Sequence, residues 1–475
     1  MSSDSPSPAG STRPPEGALP VRVRQLLKTR TVWISPLIVG SFVVALLTAF
    51  YIGSVVNPAG HLHGLPVTMV NQDRGATTGT QRVDFGQQVQ AGLSRSPSVA
   101  DPLGLADTTL RAAEQAMDRD GSYATVVIPA GFTASLLELA DEKASGPGYG
   151  RPEITILTNQ RAGTEGVGLA TGVLQPALAS ASRQIGRNLT AGMPAGSASP
   201  VTRAFLAEPV TVTTTVYRPL PSHNALGLSA FYIALLTLMC GFLGGAIVNS
   251  SVDAYLGYAI TEVGPRWSQR QPVPISRWQT LIIKWVIAAV LAGLTTGLMI
   301  LVASGLLRMD APHAGLLWLL TWLAATSVTE GTIVLFAVLG SSFGQLLAML
   351  LFVYAGLASA GGTVPLEALP VFLHALAQAE PLRQILDGTR AILYFDAQAN
   401  AGLTRSVVAA AAGLVIWLAA GTALVRWYDR KGLSRIDPQL LEYVGRAAQQ
   451  YKSRNTGGHD QDSPAHPDEP GPPAG

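Results

Sequence analysis

The chain has 475 residues, of which 48% are apolar and only 13% charged, with a formal net charge of +2. That balance suits a polytopic membrane protein with a soluble insert, and it excludes a chain built around a strongly acidic or basic surface. No basic tract with interleaved aromatics occurs, so nucleic acid is not an expected partner. The single cysteine, Cys240, excludes an intrachain disulfide and a Cys-based metal site, and reads as a small packing residue.

Residues 1–19 are rich in Pro and Ser, bury too little apolar surface to order themselves, and are expected to form a disordered cytoplasmic tail. Residues 20–32 alternate basic and apolar positions, which fits either an interfacial helix or a simple positive anchor before the first span. Six apolar runs follow, near 33–56, 226–248, 281–304, 315–340, 344–360 and 404–425. A bilayer core of ~30 Å needs about 20 helical residues, and only the fifth run is marginal. A backbone in hydrocarbon must satisfy its own hydrogen bonds, so these runs are expected to be helices. The first is too long for a signal-peptide core and lacks a small-x-small cleavage site, so it reads as a retained anchor that ends the segment 20–56.

The gap at 57–225 is long enough to be a folded domain. Strand-like runs lie at 66–72 (PVTMVNQ), 123–129 (YATVVIP), 153–159 (EITILTN) and 209–217 (PVTVTTTVY), with helical spacing at 85–93, 108–120 and 164–191. That alternation predicts an α/β domain. NQDRG, at 71–75, reads as a strand-to-helix turn that could also hold a ligand. Asn188-Leu189-Thr190 matches a glycosylation sequon but falls in an expected helix. His61 and His63 form an HxH pair with no further ligand cluster near, so no metal is expected.

Arg22, Arg24, Lys28 and Arg30 precede the first run; Arg266, Arg270 and Arg277 lie between the second and third; Arg426, Arg430, Lys431 and Arg435 follow the last. With six crossings these share one side, and positive charge marks the cytoplasm. Both termini are then inside and 57–225 outside, in the plasma membrane. Trp33, Trp267, Trp278 and Trp427 fall near the expected interfaces. The helices of 226–427 would form a permease-like domain, followed by a cytoplasmic tail at 428–475 that is disordered from about 454.

Several residues are candidates for function. Glu330 lies within the fourth run, where a charged carboxylate costs roughly 2.5–3.5 kcal/mol, so it marks either a transport path or a buried interhelical hydrogen bond. Thr326 and Ser327, about one turn earlier, are placed to solvate it. Gly241, Gly244 and Gly245, and Gly293 with Gly297, allow close helix approach, within one chain or in a homodimer. Glu380, Arg383, Asp387 and Arg390 recur at helical spacing and predict one charged face, with Arg383–Asp387 and Asp387–Arg390 pairs, on an amphipathic segment at the outer interface. Asp253, Glu262 and Arg266 in the first internal loop could contact a cytoplasmic partner. There is no P-loop and no HExxH, and GSSFG at 340–344 matches GxSxG only in a turn between two expected membrane helices. An enzyme is therefore not expected, and no catalytic residue, cofactor or metal is assigned.

VTMVNQDRGA (Val67–Ala76), then GSYATVVIPAGFTASLLELA with its core at Tyr123–Leu137, then EITILTNQR and an Ala/Gly-rich helix, resembles the extracellular part of the YhgE/Pip (phage infection protein) membrane family. VDAYLGYAITEVGPRW and the following SRWQTLIIKW look like the related nitrosoguanidine-resistance-type proteins. Both groups are similar to permeases of the type-2 ABC exporter superfamily, and residues 358–393 are similar to the Pro-containing stretch near the end of such permeases. The resemblance covers roughly 20–435, with an external domain shorter than in long family members. It implies an export component moving amphipathic or hydrophobic substrates, with energy from a separate ATPase subunit. The competing expectation is a non-transporting surface receptor or scaffold.

Overall fold

The computed structural model describes residues 28, 30–78, 81–140, 151–191, 200–264, 266–268 and 270–433. The expected tails at 1–19 and from about 454, with Arg22, Arg24 and Arg435, lie outside these residues. A long apolar helix, α1 (Arg30–Val55), carries mostly exposed apolar side chains and leads into a lobe. In the lobe, β1 (Leu65–Asn71) is followed by α2 (Phe85–Arg95), β2 (Leu103–Asp107), α3 (Leu110–Met117), β3 (Ala124–Ile128), α4 (Phe132–Ala140), β4 (Glu153–Thr158), α5 (Thr164–Ala191) and β5 (Thr211–Val216).

The strands form one mixed sheet in the order β2-β1-β3-β4-β5. β1 is parallel to both its neighbours, with Val67 opposite Leu105 on one side and Ala124 on the other. β3 and β4 are antiparallel, and β4 and β5 parallel. β1 is nearly continuously buried, as a central strand covered on both faces must be. α5 buries Val167, Ala170, Leu174, Leu178, Ile185 and Leu189, a stripe at steps of three, four and seven that lays one face of the helix on the sheet. β2 is a strand that composition hides: Leu-Gly-Leu-Ala-Asp has weak β preference, and pairing with β1 overrides it.

Among the described residues, five helices are long and apolar enough to cross a membrane: Leu37–Val55, Ser229–Tyr255, Arg277–Leu306, Ala314–Ser359 and Leu403–Arg430. These fit a multi-pass membrane protein. After α1 they comprise α6 (Ser229–Tyr255), α7 (Arg277–Ile300), α8 (Ala314–Ala348) and, beyond a shorter helix α9 (Pro381–Tyr394), α10 (Leu403–Arg430). A capping box fixes the start of α7: the Ser276 hydroxyl accepts from Gln279 N while the Gln279 side chain accepts from Ser276 N.

The fourth of these stretches, Ala314–Ser359, holds two of the six runs, 315–340 and 344–360, and Gly340 breaks it with φ +77° and ψ 169°. A Cβ on Gly344 would lie 2.8 Å from Leu335 O, and one on Gly331 2.9 Å from the Phe352 ring. The chain therefore folds back at Gly340 into two antiparallel arms. GSSFG, with Ser342, occupies this turn.

Residues 324–334 of α8 are buried on every side, which makes this arm the bundle's central helix. It packs closely because α6 is notched. Cβ atoms on Gly241 and Gly245 would lie 2.7 Å from the Val328 and Thr332 Cβ atoms. On α7, Gly293 and Gly297 face Trp322 and Trp318, whose indole N–H groups donate to Ala289 O at 2.8 Å and Gly293 O at 3.0 Å. Small-residue faces are thus filled within one chain.

The lobe sits on the bundle end formed by the segment between the second arm and α10. Leu62 and Leu65 share an apolar cluster with Val364, Leu369 and Leu373, and His63 N donates to Glu367 O at 2.9 Å. Arg161 donates to Tyr394 O at 2.9 Å, while the Tyr394 hydroxyl donates to Gly227 O at 3.1 Å. At the opposite bundle end, Arg277 donates to Leu433 O at 2.9 Å and lies 5.1 Å over the Tyr428 ring.

Candidate functional site

Two cavities flank α9. Arg383, Asp387 and Arg390 share one face of this helix and line the first cavity, whereas Glu380, the N-cap with ψ 130°, stands before the helix begins and lines the second with Pro381, Gln384 and Ile385. The one charged face expected from the spacing therefore stops short of Glu380. Glu380 is 1% exposed and Arg390 9% exposed, because Leu382, Leu386, Ile392 and Leu393 bury the rest of the helix among α6, α8 and α10. The expected solvated outer helix is instead an internal element. Arg383 and Asp387 make the expected pair at 3.4 Å. Arg390 donates to Gly361 O at 3.5 Å, and its guanidinium lies 3.3 Å from where a Cβ on Gly163 would stand.

The first cavity, of about 600 Å³, is polar and lies between this charged row and the lobe. The loop after α3 supplies Arg119, Asp120 and Tyr123, while Glu367 and Arg405 come from the bundle end. Asn159, 1% exposed, donates to Met117 O at 2.8 Å and to Ser122 O at 3.1 Å, which holds that loop in place. Asp120 adopts φ +59°, a conformation that Asp tolerates better than most residues. Burial pushes its carboxyl up to about 7, against the pull of the Arg390 charge. Burial likewise raises the Tyr123 hydroxyl, with the Glu367 charge adding to the shift. Gly166 makes room for the Tyr123 ring, 2.3 Å from where its Cβ would be.

The second cavity, of about 280 Å³, is enclosed by α8, the second arm, α9 and α10. Its wall includes Phe352 and Trp417, edge to face at 6.1 Å. Phe352 lies in a π-helical stretch, Met349–Ala355, and such widened turns often mark functional sites. Glu380 is the one ionisable side chain in the lining among the described residues. Burial pushes its carboxyl up to about 8. Its Oε2 and the Gln384 Oε1 are buried with no hydrogen-bond partner among the described residues.

Other candidates stand elsewhere. Glu330 is 2% exposed in the centre of α8, and its Oε2 has no hydrogen-bond partner among the described residues. The expected help from Thr326 does not materialise: that hydroxyl donates to Trp322 O at 2.7 Å, on its own helix. Neither residue lines the two cavities. Asp253 is not in a loop, because α6 runs on to Tyr255; its carboxylate pairs with Lys284 of α7 at 2.9 Å. Lys284 Nζ also donates to Asn249 Oδ1 at 2.6 Å. Glu262 and Arg266 sit on a small hairpin, Thr261–Val263 against Arg266–Ser268, and their side chains lie outside the described part.

The NQDRG turn is knitted into the lobe. Asp73 accepts from Gly86 N at 3.2 Å, from Thr133 N at 3.2 Å and from the Thr133 hydroxyl, so one carboxylate joins the starts of α2 and α4. Asn71 Oδ1 accepts from Asp73 N at 3.0 Å. Two separated motifs, VNQD and PAGFT, thus meet in space for a structural reason. Asp73→Ala is expected to destabilise the lobe by about 2–3 kcal/mol, seen as increased protease sensitivity of the lobe in the purified protein.

Sequence reasoning missed Gln384, Phe352 and Trp417, and it missed Asp120 and Tyr123 as cleft residues. The step of four from Glu380 to Gln384 was the available signal. The rest needed the hairpin and the lobe docking.

A family model described as "Protein of unknown function (DUF3533)" matches residues 35–417, and the chain belongs to that family. No curated protein matches it. Among solved structures, the "Crystal structure of a domain of a putative ABC type-2 transporter from Thermotoga maritima MSB8" is similar at 18% identity, covering 32% of this chain and 85% of that one. Its TM-score of 0.23 is too low to carry an argument about this chain.

Proposed function

We propose that the chain is the membrane-spanning component of an export system of the type-2 ABC exporter kind, moving amphipathic or hydrophobic substrates. On this reading it is not itself an enzyme, and energy comes from a separate ATPase subunit. On this reading the two arms of the Gly340 hairpin are separate crossings, six in all. The basic residues at the end away from the lobe support an orientation with both termini in the cytoplasm and the lobe outside the plasma membrane. The observation that carries the reading is the pair of cavities flanking α9, apolar among the membrane helices and polar beneath the lobe. A molecule with an apolar body and a polar head can be accommodated in stages by such a pair.

Cells lacking the gene are expected to become more sensitive to at least one member of a panel of amphipathic toxicants, with resistance restored by the wild-type chain. Glu330→Gln is expected to fold and insert normally but to fail in that complementation. Full complementation by the variant would leave Glu330 a purely structural group.

The alternative reading, a surface receptor or scaffold of the phage infection protein type, draws support from a groove of about 650 Å³ between α2 and α5 on the lobe. It is favoured if deletion changes no toxicant sensitivity while the isolated lobe-bearing surface still captures a wall or secretion component.

A further inference from the structure

The second cavity offers a bound molecule the carboxyl of Glu380, the amide oxygen of Gln384 and the hydroxyls of Ser327 and Ser406 in otherwise apolar walls. Glu380 is 1% exposed and Gln384 7% exposed, and both line it. Gln384 donates from its amide to Gln378 O at 3.3 Å, while its Oε1 meets no donor among the described residues. Glu380 Oε2 reaches within 3.2 Å of where a Cβ on Gly356 would stand, so the absence of a side chain there gives the carboxylate its room. No other ionisable side chain lines the cavity among the described residues. Buried acceptors without donors are costly, and a ligand bringing both positive charge and N–H groups satisfies them together. Phe352 and Trp417 supply aromatic surface for hydrocarbon and for a cation. Leu351 and Ile416 at the rim are exposed on the outside of the bundle, so the entrance faces lipid in a membrane-embedded molecule.

We propose that this pocket binds a protonated amine bearing an apolar body, with Glu380 and Gln384 accepting its N–H groups and Phe352 and Trp417 enclosing its hydrocarbon. The amine enters sideways from the bilayer past Leu351 and Ile416. An ammonium seated beside Glu380 favours its ionised form, whereas an anion there gains no such pairing. A quaternary ammonium satisfies the charge but gives no N–H to Gln384. The proposal names the substrate class of the exporter and rests on that reading for its purpose, though not for binding itself.

The test is calorimetric titration of the full-length, detergent-purified protein with octylamine, octyltrimethylammonium, octanol and octanoate. Octylamine is expected to bind at one site, octyltrimethylammonium about tenfold more weakly, and octanoate not at all. Glu380→Gln is expected to weaken octylamine about a hundredfold and Gln384→Leu about tenfold. Ile416→Trp, at the exposed rim, is expected to block entry while leaving Glu380 untouched, which keeps the test decisive if a Glu380 variant misfolds. Octylamine binding no tighter than octanol, or unchanged in both Glu380→Gln and Ile416→Trp, would overturn the proposal. Binding as expected in a protein that confers no toxicant resistance would instead overturn the export reading and leave the pocket assignment standing.

Discussion

Lys284→Ala is expected to destabilise the protein by about 3–5 kcal/mol, the cost of removing one member of a largely buried ion pair. Lys284 and Asp253 are 2.9 Å apart, with side chains 8% and 17% exposed, on neighbouring membrane helices. Removing the ammonium leaves the Asp253 carboxylate in a low-dielectric setting and strips a donor from Asn249 Oδ1. The loss should appear as a lower melting temperature in detergent and a lower yield of membrane-inserted protein. The double variant Lys284→Leu with Asp253→Leu should recover much of it, because apolar replacement of a buried pair is often neutral. A single variant as stable as wild type would mean that water reaches the pair.

The second large effect concerns Glu380 and depends on pH. Its carboxyl is raised from 4.5 to about 8 by burial. In the unfolded chain it ionises near its ordinary value, whereas the folded protein holds it protonated until about 8. Stability that is fully present below about pH 4.5 is therefore lost progressively as the pH rises to about 8. Glu380→Gln removes the ionisation and hence the loss. Melting temperatures of wild type and variant should agree near about pH 5 and diverge above about pH 8, the variant being more stable by on the order of 3–5 kcal/mol. A gap of the same size at every pH would show a packing effect instead. A stability cost carried by a carboxylate in a cavity is the signature of a group retained for function.

Much of the architecture was written in hydropathy. Apolar runs long enough to span hydrocarbon have few alternative structures, and Gly340 marked the reversal between two of them. The strands at Val67 and Ile154 announced themselves by β-branched composition, whereas Leu103–Asp107 did not, because pairing to β1 rather than local preference makes it a strand. The site was less legible. Spacing correctly placed Arg383 one turn from Asp387, but it carried the helix back through Glu380, which is the extended N-cap, and it turned the row to solvent. Helical periodicity fixes angles about one axis; which side meets solvent is decided by the helices that pack around α9. Asp253 was misread for a related reason. A charge just beyond an apolar run looks like a loop residue until the basic side chain that allows the helix to continue, Lys284, is found on another helix.

Accessibility of single cysteines in intact cells tests the placement of the lobe and the crossings most directly. Cys240 is replaced by serine, and one cysteine is introduced at Ser98 in the lobe, at Ser268 in the small hairpin, or at Ser342 in the Gly340 turn. A membrane-impermeant maleimide should label position 98 in whole cells, and positions 268 and 342 only after the membrane is broken. Labelling of 268 or 342 from outside, with 98 protected, would contradict the account.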